Sequence, residues 1–558
     1  MSNEKRLHPE ELRSHRWYGP NSMRASAHRQ RTLQMGFRRK DFTDKPIIGL
    51  INTWNELSTC HYHLKERANE ARRGVWAAGG LPLEFFVLGL GEVMVKPSTM
   101  LYRNLLAMEV EEIIRSHPLD GVILMGGCDK TVPGLLMGAI SAGVPLIFFP
   151  AGPMLNGHWR KITLGAGTHT KKYWEELRSG TITESDWQEI EGSICRSNGT
   201  CNTMGTASTM TSIVEAMGLT LPNSIAIPAV DSAHARMAAD CGERIVEMVW
   251  EDLRPEKILT REAFLNGAAA LMAIGGSTNA PIHMMAMANR SGVPLLLDDF
   301  DAVSRRLRAI VDIMPAGRFL MEDLFHAGGL SAVLARITDH LYPGCLTVNG
   351  KTLGENIQNA PCYDDEVIRT MDAPLTRMES LAVLRGNLAP DGALIKPSAA
   401  TEKLLIHTGK AVVFNGAADL HARVDNPNLD VDENSVLVMK MGGPVGGPGM
   451  PEWGGMTIPR KLLKKGIRDM VRVSDARMSG THYGTAVLHV TPEAAVGGPL
   501  ALVENGDMIE LDVPARKITL LVSDEELARR RAVWKTPAPH YSRGYGAMTG
   551  GPPCLDRN

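Results

Sequence analysis

From Lys45 to about residue 155 the chain alternates unbroken apolar runs with stretches of helical spacing, and this alternation restricts the fold more than any other feature. "KPIIGLINTW", "LPLEFFVLGL", "DGVILMGGCDK" and "VPLIFFPAGPM" have strand length and no polar face. Between them, "HLKERANEARRGVWAAGG", "YRNLLAMEVEEIIRSHP" and "TVPGLLMGAISAG" have helical spacing and stop at glycine or proline. Strands that are apolar throughout must be covered on both sides, so the pattern predicts a parallel sheet between helices, an α/β domain. Ligands of such sheets bind in the crevice beyond the carboxyl ends of the strands. Cys60, Glu92 and the run Cys128, Asp129, Lys130 each fall just after a predicted strand.

A chain of 558 residues exceeds one ordinary core, so at least two domains are expected. Residues 1–44, with "RQRTLQMGFRRKDF", read as an arm, either wrapped on a neighbouring subunit or solvated as a tail. Residues 45–375 would form the α/β domain, mostly helical after residue 180. The stretch 361–400 is rich in Pro, Asp and Gly and reads as the passage between domains. Short β-like runs follow ("KAVVFNG", "SVLVMKM", "MIELDV", "KITLLVS"), predicting a mainly β domain over 376–558. A net charge of −2 leaves no footprint for nucleic acid or for a polybasic membrane surface. The apolar stretch 144–155 is too short and proline-broken to span a bilayer, and the amino terminus has no signal-peptide core. A cytoplasmic protein with a small-molecule partner is the expectation.

Eight cysteines in so long a chain do not make a disulfide framework. Cys241 lies on a helical pattern and reads as a small buried hydrophobe. Cys345, Cys362 and Cys554 lie in loop-like or terminal stretches with no polar partner pattern. Cys60, Cys128 and Cys201 each sit in a polar or glycine-containing bend. Three thiols cannot close a tetrahedral zinc site, and no CxxC pair is present. Three thiolates would hold an iron–sulfur cluster and leave one iron open as a Lewis acid; three structural cysteines are the alternative.

"MGGCDKTVPG" (125–134) sets a soft ligand, a hard ligand and an amine side by side. Asp129 could bind a hard cation together with Glu92, or cap the helix that follows. Lys130 could pair with carboxylates as a cation or, once carbamylated, join them as a ligand. "MGGPVGGPGMPEWGG" (441–455) carries Glu452 in a glycine-dense loop, and without a following GK[ST] it is no P-loop. "VSDARMSGTHYGT" (473–485) holds Ser479 with Thr481 and His482 near it but forms no nucleophile elbow, leaving Ser479 as a base, a nucleophile or a simple turn residue.

In order, "GGCDKTVPG", "GTCNTMGTASTM", "GGSTNAPIHM", "LRGNLAPDGALIK", "GPVGGPGMPE" and "SDARMSGTHYG" resemble the signatures of the dihydroxy-acid and 6-phosphogluconate dehydratase family, from about residue 45 to about 530. "GTCNTMGTASTM" and "SDARMSGT" resemble its sugar-acid branch. The resemblance implies an iron–sulfur cluster on Cys60, Cys128 and Cys201, [2Fe–2S] in that branch with [4Fe–4S] as the alternative. It implies Mg²⁺ on Glu92, Asp129, carbamylated Lys130 and Glu452. It also implies Ser479 as the base, with Thr481 beside it, and a C-terminal β-barrel of the kind that swivels in aconitase-like enzymes. The implied reaction is dehydration of an aldonate such as L-arabinonate or D-xylonate to its 2-keto-3-deoxy acid by a homodimer or homotetramer. His482 and Trp453 depart from the branch and would narrow the pocket. Three rivals remain. A branched dihydroxy acid is one. A 6-phosphogluconate is another and would need a basic cluster, for which Arg31, Arg38 and Arg39 are the candidates. The third is a non-catalytic iron–sulfur sensor, which would not need the carboxylates or Ser479.

Overall fold

The structure, a computed structural model, describes residues 6–549; Cys554 lies outside them. Strands β1 (Ile47–Asn52), β2 (Leu81–Phe86), β3 (Gly121–Gly126) and β4 (Leu146–Pro150) form a parallel sheet in the order β2-β1-β3-β4. β1, β3 and β4 are buried along their whole length, as their unbroken apolar sequence requires. The crossovers are the expected helices Leu64–Ala77, Thr99–Ser116 and Thr131–Ala142. Helix Ser232–Trp250 packs on Leu64–Ala77 so closely that glycine is required at the crossing. A Cβ on Gly74 would run into the carbonyl of Ala239, and one on Gly242 into that of Ala71. Cys241, in the same helix, is fully buried as a core residue.

Residues 6–44 dock on the α/β domain of their own chain. Leu12, Tyr18 and Phe42 are buried in its core, and Arg13 donates to Leu119 O at 2.8 Å. The Asp120 carboxylate accepts from the backbone N–H groups of Ser14 and Ile47. The arm therefore lies at the amino ends of β1 and β3. Beyond β4 comes a short hairpin, β5 (Gly157–Trp159) with β6 (Ile162–Leu164), and then helices up to residue 357.

The C-terminal region closes into an eight-stranded barrel, β10-β11-β12-β8-β7-β14-β13-β9. Its strands are β7 (Ala382–Gly386), β8 (Ala389–Ile395), β9 (Ile406–Asn415), β10 (Val436–Lys440), β11 (Arg472–Ser474), β12 (Ala486–Thr491), β13 (Met508–Asp512) and β14 (Lys517–Leu520). Inward residues such as Leu384, Ile395, Val438, Val473 and Ile509 fill it. The stretch 361–400 is thus only partly a passage: its second half is the β7–β8 hairpin, which Pro390, Asp391 and Gly392, lying inside β8, disguise in the sequence. β9, β10, β11 and β12 run parallel, so the loops leaving β10 and β11 emerge at the same barrel end. No helix among the described residues is long and apolar enough to cross a membrane.

Two buried histidines pin helices to the end of β4. His234 Nε2 lies 2.9 Å from Pro150 O, and His63 Nε2 lies 2.6 Å from Ala151 O. Burial holds both neutral, pulling His63 down to about 4 and His234, also beside His63, down to about 3. In the unfolded chain each would titrate near about 6.5, so below that pH the unfolded state binds more protons. Stability is therefore full above about pH 6.5 and falls as the pH drops toward 4. The melting temperature should decline from pH 7 to pH 5, with a shallower decline in His234→Gln; equal pH slopes in the two proteins would contradict this.

Candidate active site

The carboxyl ends of the sheet strands and the barrel end formed by β10 and β11 meet at one buried centre. The loop after β1 brings Cys60, the loop after β2 brings Glu92, and the bend after β3 brings Cys128, Asp129 and Lys130. Cys201 arrives by a different route. The segment after β4 pairs with Thr200, through Thr200 N–H to Gly152 O (2.9 Å) and Met154 N–H to Thr200 O (2.9 Å), just ahead of helix Thr206–Ala216. The barrel loops supply Glu452 and Ser479.

The Cys60 thiol lies against Cys128, and Cys201 faces the same group. Cys60 is held well above the ordinary thiol range by its hydrogen bond to Cys128, by burial, and by Cys201 and Asp129 nearby. Burial, followed by Cys128 and Asp129, does the same to Cys201. Cys128 has φ 67°, a left-handed bend that turns its Sγ to accept the Glu92 N–H at 3.4 Å. All three bend cysteines therefore come together, whereas Cys345 and Cys362 lie elsewhere, half-buried.

Beside the thiols the Lys130 ammonium is fully buried and touches three carboxylates: Glu92 at 3.1 Å, Asp129 at 3.2 Å and Glu452 at 3.3 Å. Burial and Arg477 act to lower its pKa, but the three anions outweigh them and it stands above the ordinary lysine value. Asp129 caps nothing; the helix after it has Lys130 as its N-cap and makes no side-chain cap bond. Arg477, also fully buried, donates to Glu452 Oε1 at 2.9 Å, to Ser98 Oγ at 3.2 Å and to Met450 O at 2.8 Å, with Glu92 3.7 Å away. Burial would raise Glu92, but Lys130 and Arg477, with a hydrogen bond from Thr99, pull it down to about 2. Glu452 moves the other way, because its burial and the neighbouring Glu92 outweigh the same cations.

Asn279 ties the two halves together. Its Nδ2 donates to Glu452 Oε1 at 3.0 Å, to Thr206 Oγ1 at 3.0 Å and to Met478 O at 3.2 Å, and its buried Oδ1 has no partner. One residue on, Ser479 Oγ lies 2.8 Å from Thr481 Oγ1 and accepts the Thr481 N–H at 3.3 Å. This turn is wedged among glycines: a Cβ on Gly167 or Gly205 would strike Thr481, and one on Gly480 would strike Ser277. His482 has a buried, unpartnered Nδ1, and burial pulls its pKa down to about 3. Trp453 points its ring at the apolar cluster of Leu437, Met456 and Leu462. Arg477 and Asn279 were not singled out from the sequence, although both lie inside quoted motifs, "SDARMSGTHYG" and "GGSTNAPIHM".

Three soft thiols beside three hard carboxylates are a donor set that fits an iron–sulfur cluster and a hard dication side by side. Among the described residues, no three His, Cys, Asp or Glu side chains already stand close enough to grip one metal ion, since the carboxylates are drawn around the Lys130 ammonium. The arm arginines are remote from this centre, because the arm sits at the opposite end of the strands. Arg31 bonds Gln34, and Arg38 bonds Asp41.

Models of the dihydroxy-acid/6-phosphogluconate dehydratase N-terminal and C-terminal regions match residues 45–356 and 366–550. The chain is 54% identical to 6-deoxy-6-sulfo-D-gluconate dehydratase of Pseudomonas putida, over 98% of this chain and 95% of that protein. It is 50% identical to L-arabinonate dehydratase of Rhizobium leguminosarum bv. trifolii, over 97% and 94%. A dihydroxy-acid dehydratase of Caldanaerobacter subterraneus is 38% identical over 93% and 94%. The chain belongs to the dihydroxy-acid/6-phosphogluconate dehydratase family and is an enzyme, a hydro-lyase.

Removing the cation at the centre would leave three carboxylates facing one another out of water. Lys130→Met is expected to cost about 3–5 kcal/mol in denaturant unfolding of the metal-free protein. A loss below about 1 kcal/mol would show that the lysine does not neutralise the cluster.

Proposed function

We propose that this enzyme dehydrates a sugar acid, an aldonate with hydroxyls on C2 and C3, to its 2-keto-3-deoxy acid. The observation that carries the reading is the meeting of three thiols, three carboxylates and the Ser479 turn at one buried centre between the sheet and the barrel. Cys60, Cys128 and Cys201 would hold a [2Fe–2S] cluster; Glu92, Asp129, Glu452 and Lys130, as its carbamate, would hold Mg²⁺. Carbamylation turns the lysine among the three carboxylates into a fourth anionic ligand and leaves Arg477 as the neighbouring cation. When bound, the two groups would supply Lewis acidity toward the oxygens of the substrate.

Ser479 Oγ is the proposed base for the C2 proton. Thr481 offers it two donors, the backbone N–H and the hydroxyl, and both would stabilise Oγ in its deprotonated form. Asn279 and Arg477 orient Glu452, and through Met478 O the asparagine fixes the Ser479 turn against it. Aldonates are favoured over a branched dihydroxy acid because the relatives at 50% identity and above include dehydratases named for sugar acids, whereas matched dihydroxy-acid dehydratases stand at 36–40%. His482 is the proposed limit on chain length, and Trp453 would act on it only through the loop carrying Glu452. A homodimer or homotetramer is the proposed assembly, supported by exposed Leu57, Tyr62, Phe86, Val93 and Met94 on and around the loops of Cys60 and Glu92.

The test is keto-acid formation by anaerobically reconstituted, Mg²⁺-supplied enzyme on C4 to C6 aldonates, 2,3-dihydroxyisovalerate and 6-phosphogluconate. Aldonates alone should turn over. Ser479→Ala should lose about 10²-fold or more in kcat while keeping its cluster absorbance. Turnover of Ser479→Ala at the normal rate, or preference for dihydroxyisovalerate, would overturn the reading.

A further inference from the structure

A cavity of about 730 Å³ lies between helices Thr99–Ser116 and Ala280–Arg290 and barrel strands β8 and β12. That volume falls within the range of about 300–1,000 Å³ usual for small-molecule sites. Arg477 and Met450 separate it from the Lys130 centre: Arg477 turns Nη1 to Glu452 and Nε to the Met450 carbonyl, and Met450 lines the cavity.

Two of its lining residues are buried with unused hydrogen-bonding capacity. Arg103 is 2% exposed; its Nη1 meets His283 Nδ1 at 3.1 Å, its Nε has no partner, and no carboxylate pairs with it among the described residues. A guanidinium taken out of water without a counter-ion is costly, and Arg477 nearby adds to the cost. His489 is 8% exposed, and neither ring nitrogen has a partner. Its backbone is left-handed (φ 56°), at the point where β12 shifts register against β8. A neutral imidazole there offers one donor and one acceptor.

On the barrel side stand Asp475, which accepts from the N–H groups of Gly442 and Ala494, and Glu493, which accepts from those of Val445 and Gly446. Glu493 Oε2 accepts from both Val445 and Gly446, whereas Glu493 Oε1 and both Asp475 oxygens keep a lone pair for a further donor. Met100, Met285 and Leu295 make the opposite wall apolar.

We propose that this cavity binds a hydroxylated carboxylate at a site distinct from the catalytic centre. Its carboxylate pairs with Arg103 and His489, its hydroxyls donate toward Asp475 and Glu493, and its carbon skeleton lies on the apolar wall.

Quinate is a suitable probe, because the carbon bearing its carboxylate has no hydrogen and cannot lose the proton that dehydration requires. Titration calorimetry of the full-length holoenzyme should show saturable binding, weakened about ten-fold or more in both Arg103→Met and His489→Asn. Asparagine tolerates the left-handed backbone but cannot reach as far as histidine, and His489→Asn should keep its turnover. If Arg103→Met fails to fold, His489→Asn decides the matter alone. No saturable binding to the wild type, or wild-type affinity in either folded variant, would overturn the proposal.

Discussion

The buried ammonium of Lys130, held by Glu92, Asp129 and Glu452 and backed by Arg477, is the interaction on which the rest of the site depends. Three carboxylates cannot share so small a dry space unless a cation lies between them. Two of them and the lysine come from the sheet, whereas Glu452 and Arg477 come from the barrel. Joining the two domains and neutralising the site are therefore the same act. Two cations, Lys130 and Arg477, thus face three anions here.

Backbone topology makes this convergence possible. Parallel strands send all their carboxyl-end loops to one edge, so residues 60, 92 and 128–130 share a crevice although a helix separates each pair. The barrel repeats the device, since β10 and β11 are parallel neighbours and deliver Glu452 and Ser479 from the same end. Glycine then lets the parts close. Gly167, Gly205 and Gly480 leave no room for a side chain where the Ser479–Thr481 turn is inserted.

Much of this could be read in the sequence, for a physical reason. Strands buried on both faces must be apolar throughout, so β1, β3 and β4 announce themselves, and the loops after β1 and β3, with the bend after β2, mark the crevice. Barrel strands β9, β10, β13 and β14 were visible as short apolar runs, but the β7–β8 hairpin was hidden by Pro390, Asp391 and Gly392, which are untypical of strands and lie inside β8. Arg477 and Asn279 could not be assigned in advance. Their roles arise from contacts between distant segments, 199 residues apart for Asn279 with Met478 and 379 for Arg477 with Ser98, and no local pattern encodes such contacts. The arm was equally ambiguous, because its docking rests on a few anchors, Leu12, Tyr18 and Phe42, within a polar segment.

Within the proposed mechanism, Lys130 must exchange its positive charge for a negative one before a dication can take the centre of the carboxylates. The most direct measurement is ¹³C NMR of the enzyme equilibrated with ¹³C-bicarbonate and Mg²⁺. The account predicts a protein-bound carbamate signal that grows with Mg²⁺ and is absent from Lys130→Gln. A fully active enzyme without that signal, or the same signal in Lys130→Gln, would contradict it.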